Sequence, residues 1–249
     1  MELLGLVQVR ALALKGVIEM SDRPRILLPK LGKSLDSITK SVFGGLGITP
    51  NGRGYLVEAD DARFVLGRPS DTVSMIRGDR IDGGVYPGEY EEIIPNLSFG
   101  VARLNSPVGR IVLACGDYVA DNPDRYRPRP DRGFVTVGCP EKYYDSEYGV
   151  LAARWIDESE FFGDDCRYTI LEPYDGSIEV LPKLTRYCPN PINFIVDYSD
   201  TGETLRANDC EVLETLKVVR PLFVYDPARV STSFVRDLFG NLLGSGKNE

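Results

Sequence analysis

Short runs of strand-favouring apolar residues recur along this chain, with stretches of three-and-four apolar spacing between them. Arg25-Ile26-Leu27-Leu28 precedes Pro29 and reads as a strand. Leu35, Ile38 and Val42 then share one face of a helix over 33–42, which the Gly44-Gly45-Leu46-Gly47 cluster ends. Residues 55–58 and 63–66 flank Asp60-Asp61 as a hairpin, 71–78 reads as a helix, and strands are expected at 83–86 and 101–104. After the apolar run Ile111-Val112-Leu113-Ala114, residues 117–132 hold Pro123, Pro128 and Pro130. With Arg125, Arg127, Arg129 and Arg132 they are expected as a charged loop rather than a ladder. Beyond it we expect strands at 134–137, 167–171, 194–196 and 219–225, helices at 141–157 and 177–186, and a closing amphipathic helix over 230–243. Alternation of this kind dictates α/β architecture. No internal repeat is visible in the sequence.

The 249 residues contain no histidine. Histidine triads, Cys-His dyads and HExxH zinc sites are therefore excluded. The formal charge of −8 argues against a protein that coats nucleic acid. Cys115, Cys139, Cys166, Cys188 and Cys210 are widely spaced and odd in number, which reads as reduced thiols in a cytoplasmic protein. No run reaches the roughly 18 apolar residues of a membrane span, so no membrane partner is expected. Residues 1–21 begin like a secretion signal, but Glu2 and Arg10 interrupt that pattern. They are expected as an extension that packs on the body or on another subunit. The glycine cluster at 44–47 follows a helix and lacks GxGxxG spacing, which argues against a dinucleotide site.

The most informative stretch runs from Phe194 to Asn208. An apolar strand leads into Asp197 and Asp200, then into Thr201-Gly202-Glu203-Thr204-Leu205 and a short helix. Gly202 permits a tight turn, and Thr201 and Thr204 place hydroxyls beside the unpaired N–H groups of a helix start, a cradle suited to phosphate. The two acids suit ribose hydroxyls or a metal-bound diphosphate. A helix merely capped by Thr201 has the same spacing, and spacing alone does not separate the two readings.

Residues Asp197 to Leu205 resemble the DLVxTGxTL signature of the ATP phosphoribosyltransferase family, the first enzyme of histidine biosynthesis. Other matches follow in the same order. Ile26 to Lys33 resembles the family's opening strand and PKGRL-like turn, and Asp175 to Pro182 its GSVExAP segment. Arg68-Pro69-Ser70-Asp71, Gly78 and Asp82-Gly83-Gly84-Val85 are similar to RxxDxPxxVxxGxxDLGIxG, and Leu97 to Leu104 to LxFGxxRL. The resemblance implies a two-lobed, periplasmic-binding-protein-like (type II) α/β fold with an interlobe active-site cleft. Lobe I would be 22–105 plus 222–249, and lobe II 106–221.

It also implies transfer of phosphoribosyl from phosphoribosyl pyrophosphate to N1 of ATP, with Mg²⁺ as cofactor. Lys30, Arg68, Glu179 and Asp197 would be catalytic. Lys33, Ser177, Asp200, Thr201, Gly202, Glu203, Thr204 and Leu205 would bind substrate. The metal ligands and the oligomeric state, homo-oligomer included, stay open. The chain ends soon after the strand at Tyr225, so the resemblance is to short forms that work with a regulatory subunit resembling histidyl-tRNA synthetase. Departures from the pattern are Glu203 inside the phosphate loop, expected to turn outward, and Gly138-Cys139-Pro140 in place of SYP. They leave open a phosphoribosyltransferase with another acceptor, or a two-lobed binder without catalysis. Asp82, before a buried strand, is expected to be structural.

Overall fold

A computed structural model describes residues 23–32, 35–49, 55–94, 98–105, 108–129, 131, 133–144 and 151–243. The extension 1–21 and Lys33 lie outside the described residues. Two compact units form: Met1–Pro87 with Pro95–Ser106 and Pro221–Glu249, and Gly88–Ile94 with Pro107–Arg220. Measured against the expected lobes, Gly88–Ile94 belongs to the second unit. Gly88 shows why. A Cβ there would lie 1.8 Å from the Arg220 carbonyl oxygen, so only glycine lets the two backbones meet.

In chain order come β1 (Arg25–Pro29), α1 (Asp36–Gly45), β2 (Leu56–Glu58), β3 (Arg63–Gly67), α2 (Thr72–Arg77), β4 (Gly83–Tyr86) and β5 (Gly100–Arg103). The second unit adds β6 (Gly109–Gly116), α3 (Asp117–Ala120), β7 (Val135–Pro140), α4 (Leu151–Asp157), β8 (Thr169–Tyr174), α5 (Leu181–Thr185), β9 (Ile192–Ser199), α6 (Glu203–Ala207) and β10 (Cys210–Val219). The chain then returns to the first unit through β11 (Leu222–Tyr225) and α7 (Thr232–Phe239).

The sheets are ordered β2-β3-β1-β4-β11-β5 and β10-β6-β9-β7-β8. Apart from the β2 edge, both follow one plan. Three parallel strands lie in the order second, first, third, then comes an antiparallel strand made where the chain crosses between units, then a fourth strand. All four residues of β4 are buried, as expected of a central strand covered on both faces. In the first unit Ile26, Leu28, Phe43 and Phe64 pack with Phe223 and Phe239. In the second, Val112, Ala114, Ile195 and Leu205 do the same.

Two local expectations change. The helix expected over 141–157 is a 3₁₀ turn at Glu141–Tyr143 and an α-helix at Leu151–Asp157. Tyr143 is wholly buried, with its ring 5.1 Å from Trp155 and 6.3 Å from Tyr90, and this packing overrides local helix preference. The ten-residue strand β10 was not expected at all. Asp82, at the amino end of β4, accepts hydrogen bonds from the Arg25 backbone N–H (2.8 Å), from Arg25 Nε and Nη2 (3.0 and 2.9 Å) and from Arg229 Nη1 (3.0 Å). Burial alone would raise its pKa, but these donors outweigh burial and hold it at about 2. It is the structural residue its position suggested.

Candidate active site

In the second unit β7, β8 and β9 run parallel, so the loops after their carboxyl ends gather at one edge, where open α/β sheets bind ligands. Ile192 to Val196 are buried, and the strand then opens at Asp197 and Tyr198 before the loop turns. Gly202 sits in the left-handed region at φ +73°, and α6 begins directly after it. The first helical bond runs from Arg206 N–H to the Gly202 carbonyl (3.0 Å), so the N–H groups of residues 203–205 have no partner within the helix. Glu203 N–H donates to Thr201 Oγ1 at 3.3 Å, and Thr201 N–H donates to Asp200 Oδ1 at 2.7 Å. Leu205 is buried and anchors the helix in the core. Asp200, Thr201, Glu203 and Thr204 are exposed. Arg206 was not singled out from the sequence, yet its Nη2 donates to the Thr201 carbonyl at 3.1 Å, which brings a cation against the loop.

Asp197 lines a pocket of about 490 Å³ together with Glu141 and Lys142 after β7 and Asp175 and Gly176 after β8. Its Oδ1 accepts the Tyr198 N–H at 2.8 Å. Burial raises the Asp197 pKa to about 6; Glu179 and Glu89 reinforce the rise, while the Tyr198 N–H and Lys142 oppose it. A carboxyl group that titrates near neutrality on a pocket wall marks a site of chemistry more often than one of stability. Glu179 lies in a 3₁₀ turn at Ile178–Val180, and its carbonyl accepts from the Cys210 thiol (3.2 Å). Ser177 precedes that turn and is exposed. Ser177 and Glu179 thus follow β8, and Asp197 and the 200–205 loop stand at the carboxyl end of β9, the neighbouring end of the same parallel set. Glu89 and Lys142 had no assigned role in the sequence. Glu89 is buried, with its pKa raised by burial and partly restored by Lys142 at 3.6 Å.

The first unit repeats the arrangement. Lys30 follows β1 and Arg68 follows β3, beyond the paired residues Pro29 and Gly67. Arg103 ends β5 at the same edge, opposite Leu222, which in turn pairs with Tyr86. Lys30 Nζ lies 4.6 Å above the Tyr55 ring, and Arg68 is exposed. A larger pocket of about 850 Å³ lies at the other end of β3, lined by the Asp60–Asp61 turn, Phe64 and Phe234. It contains none of the residues singled out for chemistry. Among the described residues no group of three or more metal-ligating side chains converges, and no helix is long and apolar enough to cross a membrane.

No family model matches the chain. It is 27% identical over 196 residues to the ATP phosphoribosyltransferase of Rubrobacter xylanophilus, covering 77% of this chain and 81% of that protein. To the ATP phosphoribosyltransferase of a Hydrogenobaculum strain it is 23% identical over 201 residues, covering 77% and 84%. Among solved structures it matches the ATP phosphoribosyl transferase (HisG:HisZ) complex from Thermotoga maritima. The TM-score is 0.56 at 19% identity, over 86% of this chain and 96% of that one, a likeness of fold. In sequence over three quarters of its length, and in its two-lobed α/β fold, the chain resembles the ATP phosphoribosyltransferases.

Proposed function

We propose that this protein is an ATP phosphoribosyltransferase: it joins the phosphoribosyl group of phosphoribosyl pyrophosphate to N1 of ATP and releases pyrophosphate, the first step of histidine biosynthesis. The observation that carries the reading is the Asp197–Leu205 loop. A left-handed glycine, two threonines and the first turn of a helix stand at the carboxyl end of β9, in a chain whose curated relatives have this activity.

The adenine N1 lone pair forms the new N–C bond as the bond from C1 of the ribose to the pyrophosphate oxygen breaks, with inversion. No side-chain base is needed at the attacking nitrogen, so the absence of histidine is no obstacle. What the reaction requires is stabilisation of a cationic sugar and of departing negative charge. The first-turn N–H groups and Thr201 and Thr204 would hold the 5′-phosphate. Asp197 would face the ribose, and its negative form suits the positive charge that develops there. Lys30 and Arg68 supply positive charge for phosphates in the first unit.

Mg²⁺ is usually held by substrate phosphates with one or two carboxylates. Asp197 on the pocket wall and exposed Asp200 are donors of that type, and the ion would neutralise the leaving pyrophosphate. We place the protein in the cytoplasm and assign it a regulatory subunit as partner, by analogy with the two-component Thermotoga maritima complex. Gly138-Cys139-Pro140 and Glu203 favour, as a second reading, a phosphoribosyltransferase with another acceptor. Pyrophosphate release from phosphoribosyl pyrophosphate, assayed with ATP and then with other bases, separates the two. Release with none of them removes both.

A further inference from the structure

We infer that Lys142, tethered by the buried carboxylate of Glu89, is the group of the second unit that binds the pyrophosphate end of the substrate, with Glu89 as its positioning residue. The inference rests on the phosphoribosyltransferase reading and extends it to two residues outside the recognised motifs.

The pocket at Asp197 is otherwise acidic. Glu141, Asp175 and Asp197 line it, and Lys142 is the one cation among its described lining residues. A substrate carrying phosphates at both ends meets repulsion at each of those carboxylates and attraction at that ammonium. A surface lysine is ordinarily a mobile, solvated charge; Lys142 has two partners that hold its ammonium in place. Its Nζ lies 3.6 Å from Glu89 Oε1, and the Glu89 side chain is 8% exposed while that of Lys142 is 49% exposed. The same ammonium lies 4.7 Å above the ring of the wholly buried Tyr143, a favourable cation–π position. A carboxylate and an aromatic face thus both contact the charge of a residue that lines the pocket. Glu89 comes from Gly88–Ile94, the segment that joins the second unit although its sequence neighbours belong to the first.

The shared strand plan gives an independent reason. The first parallel strand of each unit ends in proline, Pro29 in β1 and Pro140 in β7, and a lysine follows within two residues. Lys30 stands 4.6 Å over Tyr55, and Lys142 stands 4.7 Å over Tyr143. Lys142 is the topological counterpart of Lys30, the lysine to which the proposed function gives phosphates in the first unit. As the C1–O bond breaks, negative charge grows on the departing pyrophosphate, and a pre-positioned ammonium stabilises that state more than the bound substrate.

The test uses the full chain, Lys142→Met, Lys142→Arg, Glu89→Gln and the double variant Glu89→Gln/Lys142→Met, each checked for folding by circular dichroism. Calorimetry with inorganic pyrophosphate should show at least tenfold weaker binding to Lys142→Met and a smaller loss for Lys142→Arg. Steady-state kinetics should show kcat falling together with kcat/KM for phosphoribosyl pyrophosphate in Lys142→Met. Glu89→Gln should lose less, and the double variant should match Lys142→Met, because a tether has no effect once its lysine is gone. Pyrophosphate binding by Lys142→Met within twofold of the parent would overturn the assignment of Lys142. Additive losses in the double variant would overturn the positioning role of Glu89. If the parent turns over no phosphoribosyl pyrophosphate, the functional reading fails separately, and the pyrophosphate calorimetry still decides the anion site.

Discussion

Replacing Asp197 by asparagine should make the protein more stable at pH 8 while removing most of its activity. The carboxyl titrates at about 6 in the fold because it is buried and because Glu179 and Glu89 lie near it. In the unfolded chain it titrates near 4, so the shift is about 2 units, worth roughly 3 kcal/mol against the ionised native state. The group lines an open pocket, and an asparagine amide there needs a partner of its own. A net gain of about 1–2 kcal/mol is therefore expected, or roughly 2–7 °C in melting temperature for a chain of this size. The direction with pH follows from proton counts. Between about 4 and 6 the native state binds more protons than the unfolded state, so this carboxyl costs the parent stability as pH rises through that window. Above it the cost is constant, and below pH 4 it vanishes.

Urea denaturation of parent and Asp197→Asn from pH 4 to pH 8 should therefore show curves that lie close at the acid end and separate by pH 7. Activity per folded molecule should fall at least a hundredfold, and kcat/KM of the parent should decline as pH drops through about 6. A variant less stable than the parent at pH 8, or one that keeps its activity, would refute the reasoning.

At Gly202, where φ is +73°, alanine should cost about 1–2 kcal/mol of stability from backbone strain and push Arg206, whose Nη1 lies 3.0 Å from the new Cβ. The larger effect should be on calorimetric affinity for phosphoribosyl pyrophosphate; affinity unchanged in a folded variant speaks against the phosphate loop. Glu203 is exposed and contributes its N–H to the turn, so Glu203→Ala should leave KM for phosphoribosyl pyrophosphate within about twofold. A tenfold drop, about 1.4 kcal/mol, would show instead that its carboxylate opposes the phosphate. Asp82→Ala removes the acceptor shared by Arg25 and Arg229, whose own side chains are partly open to water, and should cost about 1.5–3 kcal/mol, read by urea unfolding, while activity per folded molecule is kept. Because the Asp82 pKa is depressed, its stabilisation is present above about pH 4 and is lost as pH falls toward about 2.

The loop at Asp197–Leu205 was legible in the sequence because everything it needs is local: an apolar strand, a glycine and a helix start within a dozen residues. The strands β1, β3 and β4 were legible for the same reason. The strand β10 was not. Its pairing with β6 shifts register between Val212 and Glu214 and again between Thr215 and Lys217, and each irregularity breaks the period-two alternation that announces a strand. The common plan of the two sheets was invisible too, because strand order arises from long-range pairing and leaves no repeat in the residues. The Asp197 pocket was half legible. Asp197 and Glu179 stood out, but the second acid that shifts Asp197 and the cation beside it are Glu89 and Lys142, which no motif marked. Lys142 was concealed within an expected helix that packing of Tyr143 turns into a 3₁₀ turn.

The central claim is most directly tested by identifying the product. The full chain incubated with ATP, phosphoribosyl pyrophosphate and Mg²⁺ should yield a nucleotide whose mass equals ATP plus one phosphoribosyl group, with one pyrophosphate per product molecule. Hydrolysis of phosphoribosyl pyrophosphate without an adduct, or an adduct formed with another base and not with ATP, would contradict it.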